Sequence, residues 1–205
     1  MSRFTAPRLK VMRALGVALP GLSRKSIEVR PNPPGQHGTK TSKRRLSDFG
    51  VKLKEKQKLR LNYGLTESQM RKLILHARKG NQPTGEQLLQ LLERRLDNVV
   101  FRGGFASTGI AARQLVTHGH VLLNGKPVNI PSIRVKIGDE ITIKASAEKI
   151  PMVVESLAKP TLEIPNWLHW DTQSKTIKVA HLPESDQVPF PIDVQQVVEY
   201  YSNRI

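Results

Sequence analysis

A chain of 205 residues has room for one or two domains with a real core. Its 33 Lys and Arg against 17 Asp and Glu leave a net charge of +16, which requires a polyanionic partner. No apolar run approaches the ~18 residues of a membrane span, and the absence of cysteine excludes disulfides, thiol catalysis and thiolate metal sites.

The charge is polarised along the chain. Residues 1–62 carry 16 basic and 3 acidic side chains, residues 63–145 carry 12 and 6, and residues 146–205 carry 5 and 8. A membrane surface would need an amphipathic basic helix rich in Trp, Phe and Leu. The basic N-terminal segment instead holds Pro, Gly, Ser and Gln, with Phe4 and Phe49 as its aromatics. The expected partner is therefore a nucleic acid, with no membrane role. A transit peptide is not expected either, because the N-terminus has only Ser2 and Ser23, and Pro20-Gly21 breaks its short apolar stretch.

Residues 1–44 read as an extended basic arm that orders on its partner, since Pro31, Pro33, Pro34 and Gly35 interrupt any periodicity. Its charges, Arg3, Arg8, Lys10, Arg13, Arg24 and Lys25, would lie against phosphate. Residues 51–61, VKLKEKQKLRL, alternate like a strand, but Leu, Lys, Glu and Gln favour a helix. As a helix the run places Lys52, Lys56 and Arg60 in one stripe and Lys54 and Lys58 in another. Thr66 and Gln69 form a capping box for the next helix, whose buried stripe is Met70, Leu73, Ile74 and Ala77, with Gly80 as its stop.

Thr84 and Gln87 repeat the capping pattern, and Leu88, Leu92, Leu96 and Val99 predict one helix running to about Arg102. Gly103-Gly104 breaks it, Thr108 caps a further helix to about His118, and Gly119 ends that one. His120–Leu123 and Pro127–Ile130 form a hairpin around Asn124-Gly125. Arg134–Ile137 and Glu140–Lys144 suggest a second strand pair. Further on, Trp167, Trp170, Val194, Val197, Val198 and Tyr201 are expected to pack against the earlier helices.

Three motifs suggest chemistry, and each is incomplete. Gly104 to Gly109 has the outer spacing of a phosphate-binding P-loop, but Ile110 and Ala111 stand where Lys and Ser or Thr must be. Arg95-Leu96-Asp97 resembles the catalytic triplet of pseudouridine synthases. No Thr-rich loop or catalytic sheet follows, so Asp97 is read as a helix residue paired with a basic neighbour. His118-Gly119-His120 lacks the further ligands of a metal site and reads as a histidine pair facing RNA. No catalytic residue, cofactor or metal is expected.

Binding remains. Arg94, Arg95, Arg102, Arg113, His118, His120, Asn124 and Lys126 fall on the helices and hairpin of one small unit. With aromatics at 5%, base stacking on single strands is disfavoured. Helical or junctional RNA, read through phosphates and 2′-hydroxyls, fits better.

The stretch 94–129 resembles the small RNA-binding module named after small-subunit ribosomal protein four. The flanks extend the resemblance to essentially the whole chain. They include Ser2-Arg3-Phe4, Pro34-Gly35-Gln36-His37-Gly38, Leu46-Ser47-Asp48-Phe49-Gly50, Lys54-Glu55-Lys56-Gln57-Lys58-Leu59-Arg60, Thr84-Gly85-Glu86 and Val198-Glu199-Tyr200-Tyr201-Ser202. Bacterial and plastid versions of that family fit best. The resemblance implies an α+β architecture: the basic arm over 1–44, a mainly helical domain over 45–93 with the tail 191–205 packed back on it, and the mixed α/β module with its β-rich extension over 94–190.

It also implies a non-catalytic constituent of the small ribosomal subunit, in bacterial cytoplasm or plastid stroma. Such a protein binds a junction in the 5′ domain of small-subunit rRNA, nucleates assembly and contributes to accuracy. It lies beside small-subunit protein five, near where mRNA enters. By position, Gly35, Gln36, His37 and Gly38 belong to the rRNA-contacting arm, and Lys40, Lys43, Arg44 and Arg45 lie near the mRNA path. Arg95, Arg102, Arg113, Gln114, Asn124 and Lys126 fall on the RNA side of the module. Some family members bind zinc through cysteines in the arm, and this chain has none. An RNA-modifying enzyme or a free RNA chaperone carrying the same module is the alternative reading.

Overall fold

A computed structural model describes residues 5–39, 46–171 and 173–202. The chain divides into two compact units: residues 1–88 with 190–205, and residues 89–189.

The first unit is helical. Its α1 (Arg8–Leu15), α2 (Asp48–Asn62), α3 (Glu67–Ala77) and α9 (Val194–Ser202) are joined by the first half of α4 (Thr84–Glu93). The Ser47 side chain caps α2 by accepting from the Gly50 amide, and the Thr66–Gln69 capping box opens α3 as the spacing predicts. Met70, Leu73, Ile74 and Ala77 are all buried on α3. Helix α9 packs along α2: Lys52 pairs with Glu199 at 3.0 Å, and the Phe49 and Tyr200 rings lie 5.8 Å apart.

The extended arm expected over 1–44 needs correction in its first half. Arg8–Leu15 form a helix, and Met12, Leu19 and Leu22 are buried. The Gly21 amide donates to Asn62 Oδ1 at 2.9 Å, tying the segment to the end of α2. Met12, Leu15, Leu19 and Leu22 recur at three- and four-residue intervals, a helical spacing masked in the sequence by the basic charge and the prolines further on, and their burial makes the segment part of this unit.

The second unit holds α5 (Leu96–Arg102), α6 (Gly109–Thr117), α7 (Ala145–Glu148) and α8 (Pro151–Ala158) against a five-stranded antiparallel sheet of order β2-β1-β3-β5-β4. The strands are β1 (Val121–Leu123), β2 (Lys126–Val128), β3 (Glu140–Ile143), β4 (Leu168–Asp171) and β5 (Thr176–Val179). The core joins Val99, Phe105, Val116, Val121, Ile141, Trp167 and Ile177. The turn after α5 lies so close to the sheet that a Cβ on Gly103 would sit 2.0 Å from Ile177 Cδ1. Asn124 and Gly125 both have positive φ, 51° and 75°, as a two-residue hairpin turn of the primed type requires.

Two expectations fail here. The helix predicted through Arg102 is interrupted at Arg94-Arg95, where Arg95 is extended and bridges Arg134. Residues 131–135 take the backbone groups: the Leu96 amide donates to the Ile133 carbonyl at 2.8 Å, and the Val135 amide to the Arg94 carbonyl at 2.9 Å. For the same reason Arg134–Ile137 does not pair with β3. Strand β3 pairs instead with β1 and β5, because Asp139 Oδ2 accepts the Lys136 amide and folds that segment into a turn. Of the tail residues, Trp167 is buried in the second unit and Val197 and Tyr201 in the first.

Candidate nucleic-acid interface

The site is built around the first turn of α5. Asp97 stands there, where a carboxylate faces the positive end of the helix, and it is buried. Arg95 grips it from the N-cap position, Nε to Oδ1 at 3.0 Å and Nη2 to Oδ2 at 2.8 Å. Arg113, on α6, adds two bonds to Oδ2, from Nε at 3.0 Å and Nη2 at 2.7 Å. One carboxylate between two guanidiniums leaves the cluster with net charge +1. The buried Arg95 supplies support, while the Arg113 side chain remains 29% exposed and carries the surplus outward.

A second cluster stiffens the other side of α5. Glu93 is fully buried, and the Asn98 amide donates to its backbone and side-chain oxygens, both at 3.0 Å. Arg102 Nε approaches the same carboxylate at 3.6 Å, and its Nη2 donates to the Gln187 carbonyl at 2.8 Å.

The other module residues lie nearer solvent. Gln114, His118 and Lys126 are exposed, His120 is half-buried, and the two imidazole rings sit 6.0 Å apart. Asn124 is exposed, yet its side chain donates to Asp139 Oδ1 at 2.9 Å and accepts the Glu140 amide at 2.8 Å. It ties the hairpin to the turn before β3. Arg94 donates to the Val135 carbonyl at 3.0 Å, and burial, followed by the neighbouring Arg134 charge, pulls its guanidinium below the ordinary arginine value. Arg134 and the exposed Lys136 thus join the module's basic side, which the sequence pattern had not revealed. The bridge that brings Arg134 to Arg95 spans 39 residues, and no local spacing signals it.

In the first unit Arg8, Lys10, Arg24 and Lys25 are exposed, and half-buried Arg13 donates to the Asn32 carbonyl at 2.9 Å. Gly35, Gln36 and His37 are exposed, while Gly38 closes a turn with its amide on the Gly35 carbonyl at 3.1 Å. The stripes expected on α2 divide by burial. Lys52 and Lys54 are half-buried, and Arg60 donates to Gln57. Lys56 is buried and pairs with Glu67 at 2.7 Å, and buried Lys58 pairs with Glu55 at 2.5 Å.

Burial alone would raise the Glu67 carboxyl, but hydrogen bonds from Lys56 and Tyr201 outweigh it and hold it below its ordinary value. Burial and the bond to Glu67 raise the Tyr201 phenol in turn. Lys56, Lys58, Arg95 and Arg102 are therefore corrected from surface contacts to internal ones in this structure. Their charges are bound by carboxylates that lie two to eleven residues away, or by backbone. Arg3, Lys40, Lys43, Arg44 and Arg45 lie outside the described residues.

Two family models match the chain in succession. Residues 3–93 match the family model for the ribosomal protein S4/S9 N-terminal domain, and residues 94–141 match that for the S4 domain. The chain is 71% identical over 205 residues, the full length of both, to small ribosomal subunit protein uS4 of Methylobacillus flagellatus. It is 69% identical, again over both full lengths, to uS4B of Nitrosomonas europaea. The cyanobacterial uS4 of a Nostoc species is 48% identical over the same extent.

Proposed function

From the premise that this chain belongs to the ribosomal protein S4 family, we infer that it is a structural constituent of the small ribosomal subunit and binds the subunit's RNA. The full-length match at 71% identity carries this reading. The site is consistent with it: Arg113 and the exposed cations around α6 and the hairpin offer fixed positive charge on a rigid base, which suits a phosphate backbone.

The finer assignments are our own. The RNA target is a multi-helix junction in the 5′ domain of the small-subunit rRNA, and binding there nucleates assembly and supports accuracy. Arg113, Gln114, His118, His120 and Lys126, joined by Arg94, Arg134 and Lys136, form the module's contact face. Arg8, Lys10, Arg24, Lys25 and Gly35–His37 form a second contact region, to which Arg3, Lys40, Lys43, Arg44 and Arg45 belong by sequence. Small-subunit protein five is the protein neighbour, and the half-exposed Phe49 offers it an apolar contact. mRNA passes close by. The role is binding rather than catalysis, since two guanidiniums occupy the carboxylate of Asp97. The named relatives are bacterial, which favours the bacterial cytoplasm over a plastid stroma.

Sedimentation of the tagged protein from lysate, followed by sequencing of the RNA crosslinked to it, tests the proposal. Recovery in small subunits with crosslinks in the 5′ domain is expected. Recovery elsewhere would overturn it.

A further inference from the structure

Lysine and arginine, 33 of 205 residues overall, are absent from residues 160–174 and again from 179–203. Parts of these two stretches meet in the second unit, where Gln187 Nε2 donates to Asn166 Oδ1 at 2.7 Å. Between them lies an open groove of about 570 Å³. Leu162, Ile164, Val188 and Pro189 line it as partly buried apolar walls. Exposed Glu163 stands on one segment and exposed Asp186 on the other. Arg102 also lines the groove but is buried, with its Nη2 donating to the Gln187 carbonyl at 2.8 Å and its Nε 3.6 Å from the Glu93 carboxylate. Among the described residues neither Glu163 nor Asp186 has an ion-pair partner.

We propose that this groove docks an extended, lysine- and arginine-rich peptide segment of a protein partner, with an apolar side chain seated between Ile164 and Val188. Phosphate is repelled here, because the groove presents carboxylates with no exposed cation on either wall. The same charges attract a basic segment. In an extended chain, side chains two residues apart share a face about 6.5–7 Å apart. A cation–apolar–cation alternation therefore sets charge over both rims and the apolar group in the cleft. The volume falls in the range of clefts that seat a few side chains rather than a folded surface.

The test uses the full chain without RNA, whose phosphates would themselves bind a cationic peptide, and a fluorescent peptide of repeating Lys-Ser-Val-Ser. Anisotropy should show saturable binding that weakens about tenfold in the double variant Glu163→Lys, Asp186→Lys, which loses two exposed attractions and gains two repulsions. Replacing each valine of the peptide by serine should weaken binding as well. Equal peptide affinity for wild type and variant, or for the valine-free peptide, would overturn the proposal. In assembled small subunits, a photoreactive side chain at position 163 should crosslink to a lysine- or arginine-rich protein segment. A crosslink to rRNA instead would reject the groove as a peptide site.

Discussion

The Arg113 guanidinium meets a single oxygen of Asp97 through two nitrogens, at 3.0 and 2.7 Å, across a separation of 16 residues. Arg95 holds the same carboxylate from its own helix. This joins α5 to α6 and fixes the direction in which Arg113 presents its charge. A fixed, partly desolvated guanidinium loses less side-chain entropy on meeting phosphate than a free one.

Arg113→Ala should weaken binding to the rRNA fragment by about 1–3 kcal/mol, as expected for a charge-assisted contact. Filter binding at moderate salt measures it. Unchanged affinity would place α6 away from the RNA.

Asp97→Asn should destabilise the fold by about 3–5 kcal/mol, because two guanidiniums are left around a neutral amide. Urea unfolding of the full chain is the measurement. A loss well below 1 kcal/mol would mean that the carboxylate is dispensable as a clamp.

Neutralising Arg8, Lys10, Arg24 and Lys25 to Gln together should reduce the log–log salt slope of rRNA binding by roughly 3–4 units if all four lie on phosphate. Substitution is preferable to truncation, because deleting the segment would also remove the buried Met12, Leu19 and Leu22. An identical slope would show that these side chains do not contact the RNA.

Glu67 is held below its ordinary pKa of 4.5 in the folded chain. Its contribution to stability is therefore present above that value and is lost as pH falls through the lower folded value. Glu67→Gln should flatten the acid limb of the stability curve, followed by urea midpoints between pH 6 and about 3. The same acid slope in both proteins would contradict the role assigned to the Lys56 and Tyr201 bonds.

Gly103→Ala should cost about 1–3 kcal/mol, since the added methyl overlaps Ile177 unless the α5–α6 turn moves off the sheet. Thermal melting would reveal it, and a neutral result would show that the turn is free to shift.

Much of the local structure was legible in the chain. Thr66, Gln69, Thr108 and Asn124-Gly125 announce their caps and turn through short-range hydrogen bonding and positive φ, so they read correctly. The helix through Arg94-Arg95 did not, because its apolar spacing continues while residues 131–135 capture its backbone. The site divides in the same way. Arg113, Lys126 and His118 reach solvent as their spacing suggested, whereas Lys56 and Arg102 had the same appearance and are buried against carboxylates.

The amino-acid sequence by itself determined the class of partner, the presence of a helix–helix–hairpin module and the uneven spread of charge, because these depend on composition and on contacts a few residues apart. Only the tertiary structure decided which cations remain available. Whether a lysine or arginine faces solvent depends on the carboxylate or backbone carbonyl that the fold brings to it, as Gln187 comes to Arg102 from 85 residues away. Charge can be counted along a chain, but its neutralisation depends on distance in space.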